Sequence, residues 1–486
     1  MAGNDDLPQP YDAKALAPAK KRQRSISPSS SRSPGGANSG SEPARKLKRP
    51  GQRSRISESQ REELRQRALQ REREQKEAET QQQNHEQQYH ERAGINDVVR
   101  AHYNAVPERG RDWRKTDSKI KGLRAFNNWI KSCIIQKFAP DEDHTPGAME
   151  RGITSDKELL VLDLGCGKGG DLGKWQQAPQ PVELYVGLDP AEVSIDQARE
   201  RYRQMVQRDR HSGRGGRGGH YRRPQPRLFE AKFQAKDCFG QSLEDIEIVR
   251  QVGFTQSNIS NERGFDVVSM MFCLHYAFEN EAKARQMLRN VAGSLKKGGR
   301  LIGAIPNSDV ISEKVSQFNE KQKAKAEKAQ ANGAKEAESE AQAEAGGSPS
   351  ENGEIQDDKE EGEAEETAEW GNETYRVRFP GKTPEDGIFR PPFGWKYNFF
   401  LHEAVEEVPE YVVPWEAFRA LAEDYNLELQ YHKSFSDIWK TEKDDPVLGP
   451  LSERMGVRER GGGELLVSPE EMEAASFYVG FCFYKV

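Results

Sequence analysis

The stretch that most constrains this chain is Leu159-Leu-Val-Leu-Asp-Leu-Gly-Cys-Gly-Lys-Gly-Gly-Asp171. Leu159, Leu160, Val161, Leu162 and Leu164 form a short apolar run, the pattern of a strand covered on both faces. Gly165, Gly167, Gly169 and Gly170 follow at once and let backbone come close to a ligand where a side chain would collide. A strand running into such a loop suits an α/β unit that holds a nucleotide-like molecule. The spacing Gly165-x-Gly167-x-x-Gly170 does not by itself choose among such molecules. A Walker-type phosphate loop is excluded, because Gly169 stands where a Ser or Thr would have to follow Lys168.

Downstream the pattern alternates strand and helix. Leu184–Leu188 reads as a second strand ending at Asp189, and Val193–Val206 as a helix. Arg227–Phe233 reads as a third strand with Asp237 beyond it, Phe265–Phe272 as a fourth and Arg300–Ile305 as a fifth. A helix over Glu281–Leu295 lies between the last two, a late strand and helix occupy Trp415–Tyr431, and Ser476–Val486 closes the chain as an aromatic strand. Alternation of this kind predicts a parallel sheet with helices on both faces. Upstream, Ile120, Leu123, Phe126, Ile130 and Ile134 fall at helical spacing. Asn127, Asn128 and Lys131 cluster on the same helix, as an exposed face or as a ligand site.

The rest of the chain is unlike a core. Only 34% of the residues are hydrophobic and the mean hydropathy is −0.93. Residues 1–92 read as a disordered tail: Ser, Pro, Lys and Arg first, then an Arg/Glu/Gln stretch that is at most an exposed helix. Its clusters Lys20–Arg24 and Arg45–Arg49 suit nuclear import or phosphate binding. Two inserts interrupt the ordered part at 93–486. One, at 208–226, carries the RGG-like tract Arg214–Gly219, read as a flexible loop or a nonspecific RNA contact. The other, at 319–369, is low-complexity, and 336–369 holds fourteen acidic residues against one lysine. Without those residues the formal charge of −6 becomes +7, so the acidic balance does not exclude an anionic partner. Five scattered cysteines with no C-x-x-C pair fit a reducing compartment and no structural zinc. The sequence shows no membrane span and no signal-peptide core.

In an open parallel sheet the ligand sits beyond the carboxyl ends of the strands, where strand order reverses. The Gly165 loop, Asp189, Asp237 and the turn Met271–Tyr276 should meet there. Asp189 suits ribose hydroxyls in either NAD or S-adenosylmethionine. Asp163, just before the first glycine, favours S-adenosylmethionine: a carboxylate repels a pyrophosphate but attracts an ammonium and a sulfonium. Asp237 is placed to accept from an adenine amino group. Met270-Met-Phe-Cys-Leu-His-Tyr276 lacks the Asn/Asp-Pro-Pro-aromatic turn of amine methylators, and Cys273 lacks the preceding proline of a cytosine-C5 nucleophile. The sequence has no metal-ligand cluster either. An sp² ring nitrogen suits what is left, since its lone pair is free and catalysis reduces to positioning and electrostatics. An NAD-dependent oxidoreductase and an RNA-binding scaffold with a vestigial fold remain the competing readings.

Phe126-Asn-Asn-Trp-Ile-Lys131, Val161–Asp171, Cys273-Leu-His-Tyr276 and Pro306-Asn-Ser308 together resemble the eukaryotic mRNA cap guanine-N7 methyltransferases, from about residue 94 to the end apart from the inserts. The resemblance implies a Rossmann-like class I methyltransferase fold, a mostly parallel seven-stranded sheet with an antiparallel C-terminal strand. It implies methyl transfer from S-adenosylmethionine to the GpppN end of mRNA, leaving S-adenosylhomocysteine. It also implies work in the nucleus beside RNA polymerase II and the capping enzymes; a monomer is expected. By the same resemblance Lys131, Gly165, Asp189, Asp237, Met271 and Tyr276 are cofactor contacts, beside Asp163 from the charge argument above, with Met271 standing where the family often has Gln. Asn127 and Asn128 resemble the cap-ribose contacts, and Lys168, Lys174 and Arg201 the phosphate side. His275, Glu410 and Tyr478 resemble the guanine pocket, which they and Tyr276 use for positioning rather than for covalent chemistry.

Overall fold

The computed structural model describes residues 95–105, 113, 116–141, 156–214, 227–254, 264–344 and 366–486. The expectations for residues 1–92 and for most of the RGG-like tract lie outside them. Two helices come first, α1 (Ile95–Ala105) and α2 (Lys121–Phe138). The alternating part follows as β1 (Leu159–Leu164), β2 (Val182–Asp189), α3 (Glu192–Arg214), β3 (Glu230–Ala235), β4 (Phe265–Met271), α4 (Glu281–Ser294), β5 (Leu295–Pro306) and α5 (Ser308–Glu344). Four short strands come next: β6 (Glu369–Gly371), β7 (Tyr375–Arg378), β8 (Lys396–Leu401) and β9 (Val405–Tyr411). The chain ends with α6 (Trp415–Glu423), β10 (Leu427–Ser434), three short helices and β11 (Tyr478–Lys485).

Seven strands form one sheet in the order β10-β11-β5-β4-β1-β2-β3. Strands β1 to β5 pair in parallel, and β11 runs antiparallel to both β5 and β10. This is the class I methyltransferase arrangement that the resemblance implied. Strand order reverses beside β1, which is flanked by β2 and β4, so the crevice for a ligand opens beyond the carboxyl ends of those strands. Strands β1 and β4 are buried almost throughout, because helices cover both faces. On one face α2 packs through Phe126, Trp129, Ile130 and Ile134; on the other α4 and α6 pack through Met287, Leu288 and Phe418.

Three features differ from the expectations. Strand β3 starts at Glu230 rather than Arg227 and alternates exposed and half-buried residues, as an edge strand with one wet face does. Helices α3 and α5 run on into both inserts, α3 to Arg214 and α5 to Glu344. Ala, Lys, Glu and Gln are strong helix formers, and no proline interrupts α5. The far side of the second insert is tied back to this helix, because Lys325 Nζ lies 3.0 Å from Glu366 Oε2 and Gln322 donates to the same carboxylate. Lastly, β6 to β9 build a separate four-stranded antiparallel sheet for which the sequence offered no elements. Tyr375, Val377, Tyr397 and Phe399 turn inward from it onto the core.

Candidate active site

Beyond β1, β2 and β4 lies a cavity of about 340 Å³, a volume in the range of small-molecule sites. Its floor is the glycine loop. Gly165 has φ +70°, and a Cβ there would fall 2.7 Å from Cys273 Sγ, so only glycine fits. Gly167 has φ +52° and no atom within 4 Å of the Cβ position, which leaves this part of the loop open to a ligand. Its amide donates to Asp189 Oδ2 at 2.9 Å, and Ala191 N donates to Oδ1 at 2.9 Å. Burial pushes the Asp189 carboxyl up to about 6, although those two amides pull it back.

Of the expected cofactor contacts, Lys131, Gly165, Asp189, Met271 and Tyr276 line this cavity. Asp163 does not. It is buried beneath the loop, with the Tyr185 hydroxyl donating to Oδ2 at 2.6 Å. Asp237 also stands off, accepting from Phe239 N and Gly240 N, while Phe239 itself reaches the cavity. The lining carboxylate that the sequence reading missed is Asp171, at the end of the motif. Its Oδ2 accepts from Lys131 Nζ at 2.9 Å and its Oδ1 from Lys174 Nζ at 2.7 Å. Burial opposes its charge, yet the two ammonium groups hold it well below the usual carboxylate range. The presence of Lys174 three residues on was the available signal.

Lys168 and Arg201 line the same cavity, whereas Asn127, Asn128 and Lys174 do not. Lys174 donates to Asn128 Oδ1 at 2.7 Å, Gly170 O at 3.3 Å and Asp171 Oδ1 at 2.7 Å, which occupies its three donors. Burial holds its ammonium below the ordinary lysine value, with Asp171 opposing. Asn128, Lys174, Asp171 and Lys131 thus form one chain of bonds from the surface of α2 to the cavity.

His275, Glu410 and Tyr478 are 2%, 5% and 8% exposed and stand behind the cavity wall. Glu410 Oε2 accepts from Tyr397 Oη at 2.8 Å, and Glu410 Oε1 lies 3.4 Å from His275 Nε2. Both ring nitrogens of His275 are buried without a hydrogen-bond partner. Tyr276 and Phe272, which line the cavity, connect the two groups: the His275 and Tyr276 rings are 4.4 Å apart and the Phe272 and Tyr478 rings 4.9 Å. Helix α1 covers the junction. Its Tyr103 hydroxyl is 3.2 Å from that of Tyr276, and Asn104 Oδ1 caps α3 by accepting from Val193 N at 3.1 Å. Cys273 packs with Sγ 3.1 Å from Leu164 O, and burial pushes its thiol well above the ordinary value, as a packed residue rather than a nucleophile would show.

Asp163 yields a stability prediction. Burial first, and the charge of Asp171 second, push its carboxyl up to about 7. A raised carboxyl stabilises the fold fully below its unfolded value near 4, and that contribution is lost as pH rises towards 7. Asp163→Asn keeps an acceptor for Tyr185 and removes the charge. It is expected to gain on the order of 3 kcal/mol over the parent at pH 8 and nothing near pH 4. Urea unfolding at the two pH values measures the difference; equal gains at both would contradict it.

The residues fit S-adenosylmethionine. Lys131 and Asp171 bring one charge of each sign for an amino acid end, Asp189 a carboxylate for ribose hydroxyls, and Val99 and Phe239 apolar surface for a flat base. A family model described as the mRNA (guanine-N(7))-methyltransferase domain matches residues 86–345 and 345–486. The mRNA cap guanine-N(7) methyltransferase of Pyricularia oryzae is 66% identical over 500 aligned residues, covering 100% of this chain and 94% of its own. Those of Aspergillus clavatus and Schizosaccharomyces pombe are 57% and 41% identical, covering 95% and 80% of this chain and 80% and 82% of their own. Among solved structures, a magnesium protoporphyrin IX methyltransferase of Synechocystis PCC 6803 aligns with 81% of this chain and 100% of its own at 12% identity and a TM-score of 0.34, a distant likeness from which no substrate follows. A match that runs from residue 86 to the last strand takes in the glycine loop, the cavity and the second sheet alike, and by it the chain belongs to the mRNA (guanine-N(7))-methyltransferase family.

Proposed function

We propose that this chain methylates guanine N7 of the GpppN cap of mRNA. The observation that carries the reading is the buried carboxylate of Glu410 with His275 and Tyr478, set directly behind the wall of the glycine-loop cavity. S-adenosylmethionine, when bound, supplies a methyl group on a positively charged sulfur; the N7 lone pair takes it, leaving S-adenosylhomocysteine. Lys131, Asp171, Gly165, Asp189, Met271 and Tyr276 are the residues that would hold that molecule.

Glu410 accepts from the N1–H and N2–H of guanine and opposes the positive charge that grows on the ring. Tyr478 and His275 offer flat faces to it. Lys168 and Arg201 carry positive charge for the phosphate bridge, and Asn127 and Asn128 serve the cap ribose. Lys174 ties that side to Asp171. Since N7 has no proton to lose, the protein needs only to align the two partners, and alignment alone is worth several orders of magnitude in rate. The substrate is nascent mRNA, so the nucleus, RNA polymerase II and the other capping enzymes are the surroundings in which we place this chain, as a monomer.

Incubation with GpppG-capped RNA and labelled S-adenosylmethionine is expected to yield labelled 7-methylguanosine after digestion. Label in uncapped RNA or in protein, with none in the cap, would overturn the reading. The carboxyl of Asp189 adds a pH dependence. Below about 6 it takes up a proton and loses acceptor capacity for ribose hydroxyls. The KM for S-adenosylmethionine is therefore expected to rise severalfold from pH 7 to pH 5 with kcat at saturation little changed. Asp189→Asn should flatten that dependence.

A further inference from the structure

We propose that Tyr397 is a positioning residue for guanine recognition, fixing the carboxylate of Glu410 so that it meets the base's N1–H and N2–H edge. The inference rests on the cap reading above and adds to it a residue that touches no substrate. Tyr397 on β8 stands directly opposite Glu410 on β9 in the antiparallel register, so their side chains share one face of the second sheet. Its hydroxyl donates to Glu410 Oε2 at 2.8 Å. The tyrosine is wholly buried, and its ring is held between Phe379, 5.8 Å away, and Phe477, 6.4 Å away and edge-on.

A tyrosine has two side-chain torsions, and a ring packed between aromatic neighbours leaves the hydroxyl one place to be. The carboxylate bonded to it is fixed in turn. Glu410 Oε1 is left on the side of His275, at 3.4 Å and outside hydrogen-bond geometry. A fold that needed only a filled core would be served as well or better by Phe against an apolar partner at these positions. The pair makes sense as an acceptor aimed in advance, because a recognition group held loosely gives up both rate and discrimination.

The test is Tyr397→Phe, which removes one oxygen and keeps the ring. Kinetics are measured with GpppG-RNA and with IpppG-RNA, whose inosine lacks the exocyclic amino group. The variant is expected to lose roughly ten- to a hundredfold in kcat/KM on GpppG-RNA, the range for a bond to a charged group. The KM for S-adenosylmethionine should stay at the parent value. The parent's preference for GpppG over IpppG should shrink towards one. In addition, Tyr397→Phe on top of Glu410→Gln should cost little more than Glu410→Gln alone. Unchanged kinetics, a retained guanine preference, additive losses in the double variant, or loss of S-adenosylhomocysteine binding would each overturn the proposal. A parent protein that methylates neither cap would overturn the cap reading instead.

Discussion

Replacing Glu410 by glutamine is expected to lower kcat/KM on GpppG-RNA by about two to three orders of magnitude, the range found when one partner of a buried charged hydrogen bond is changed. Glutamine keeps the shape but turns an acceptor into a donor on one side. That amino group then faces the N1–H or N2–H of guanine, donor against donor. The change also removes the negative charge that opposes the cationic ring of the product. The KM for S-adenosylmethionine should not move, since Glu410 stands behind the cavity and not in its lining. Stability should hold or rise, because a buried carboxylate with a single hydroxyl donor contributes little to the fold. Steady-state kinetics on both substrates decide the matter. Activity within threefold of the parent would remove Glu410 from the site.

Asp171→Ala should have the largest effect on the fold. Lys131 and Lys174 converge on this one carboxylate, with 18% and 11% of their side chains exposed. Removing it leaves two ammonium groups side by side in a half-dry setting, a loss of about 3–5 kcal/mol for a broken buried pair. Binding of S-adenosylhomocysteine should fail with it, because Lys131 loses the partner that aims it into the cavity. Denaturant unfolding and calorimetric titration measure the two losses. A variant as stable as the parent would mean that the lysines relax freely to solvent. Loss of stability with binding intact would confine Asp171 to the fold.

Much of the parallel sheet was legible because β1 and β4 are mostly apolar runs, interrupted by Asp163 in the first and by Asp266 and Ser269 in the second, followed at once by glycine or by an aromatic turn. The side that a residue faces was not legible. Asp163 looked like a cofactor ligand from its place before Gly165, but a strand buried on both faces gives no periodic signal of which face meets the ligand. Asp171 was read only as the end of a motif, although its carboxylate lines the cavity. The second sheet escaped because its strands are three to seven residues long and its two halves are separated by the Pro- and Gly-rich stretch 379–395. Tyr397 in particular cannot be linked to Glu410 without the register that sets them opposite each other. The extended α3 and α5 show the converse: residues judged by low complexity as linker still had helix-forming composition.

The place where Glu366 meets the Gln322–Lys325 turn of α5 also bears on how sequences of this kind can diverge. Lys325 and Glu366 are each about two-thirds exposed, so the pair by itself is worth little. Buried Val315 of α5 and buried Ala368 just ahead of β6 are what hold the two ends of the intervening excursion on the core. The entropy of closing such an excursion grows only with the logarithm of its length, by about 0.6 kcal/mol per doubling. Related chains can therefore lengthen, shorten or recharge this excursion at almost no thermodynamic penalty while the catalytic unit stays the same. Tolerance of length is thus built into the anchor, which makes this the natural place to graft a tag or a foreign domain.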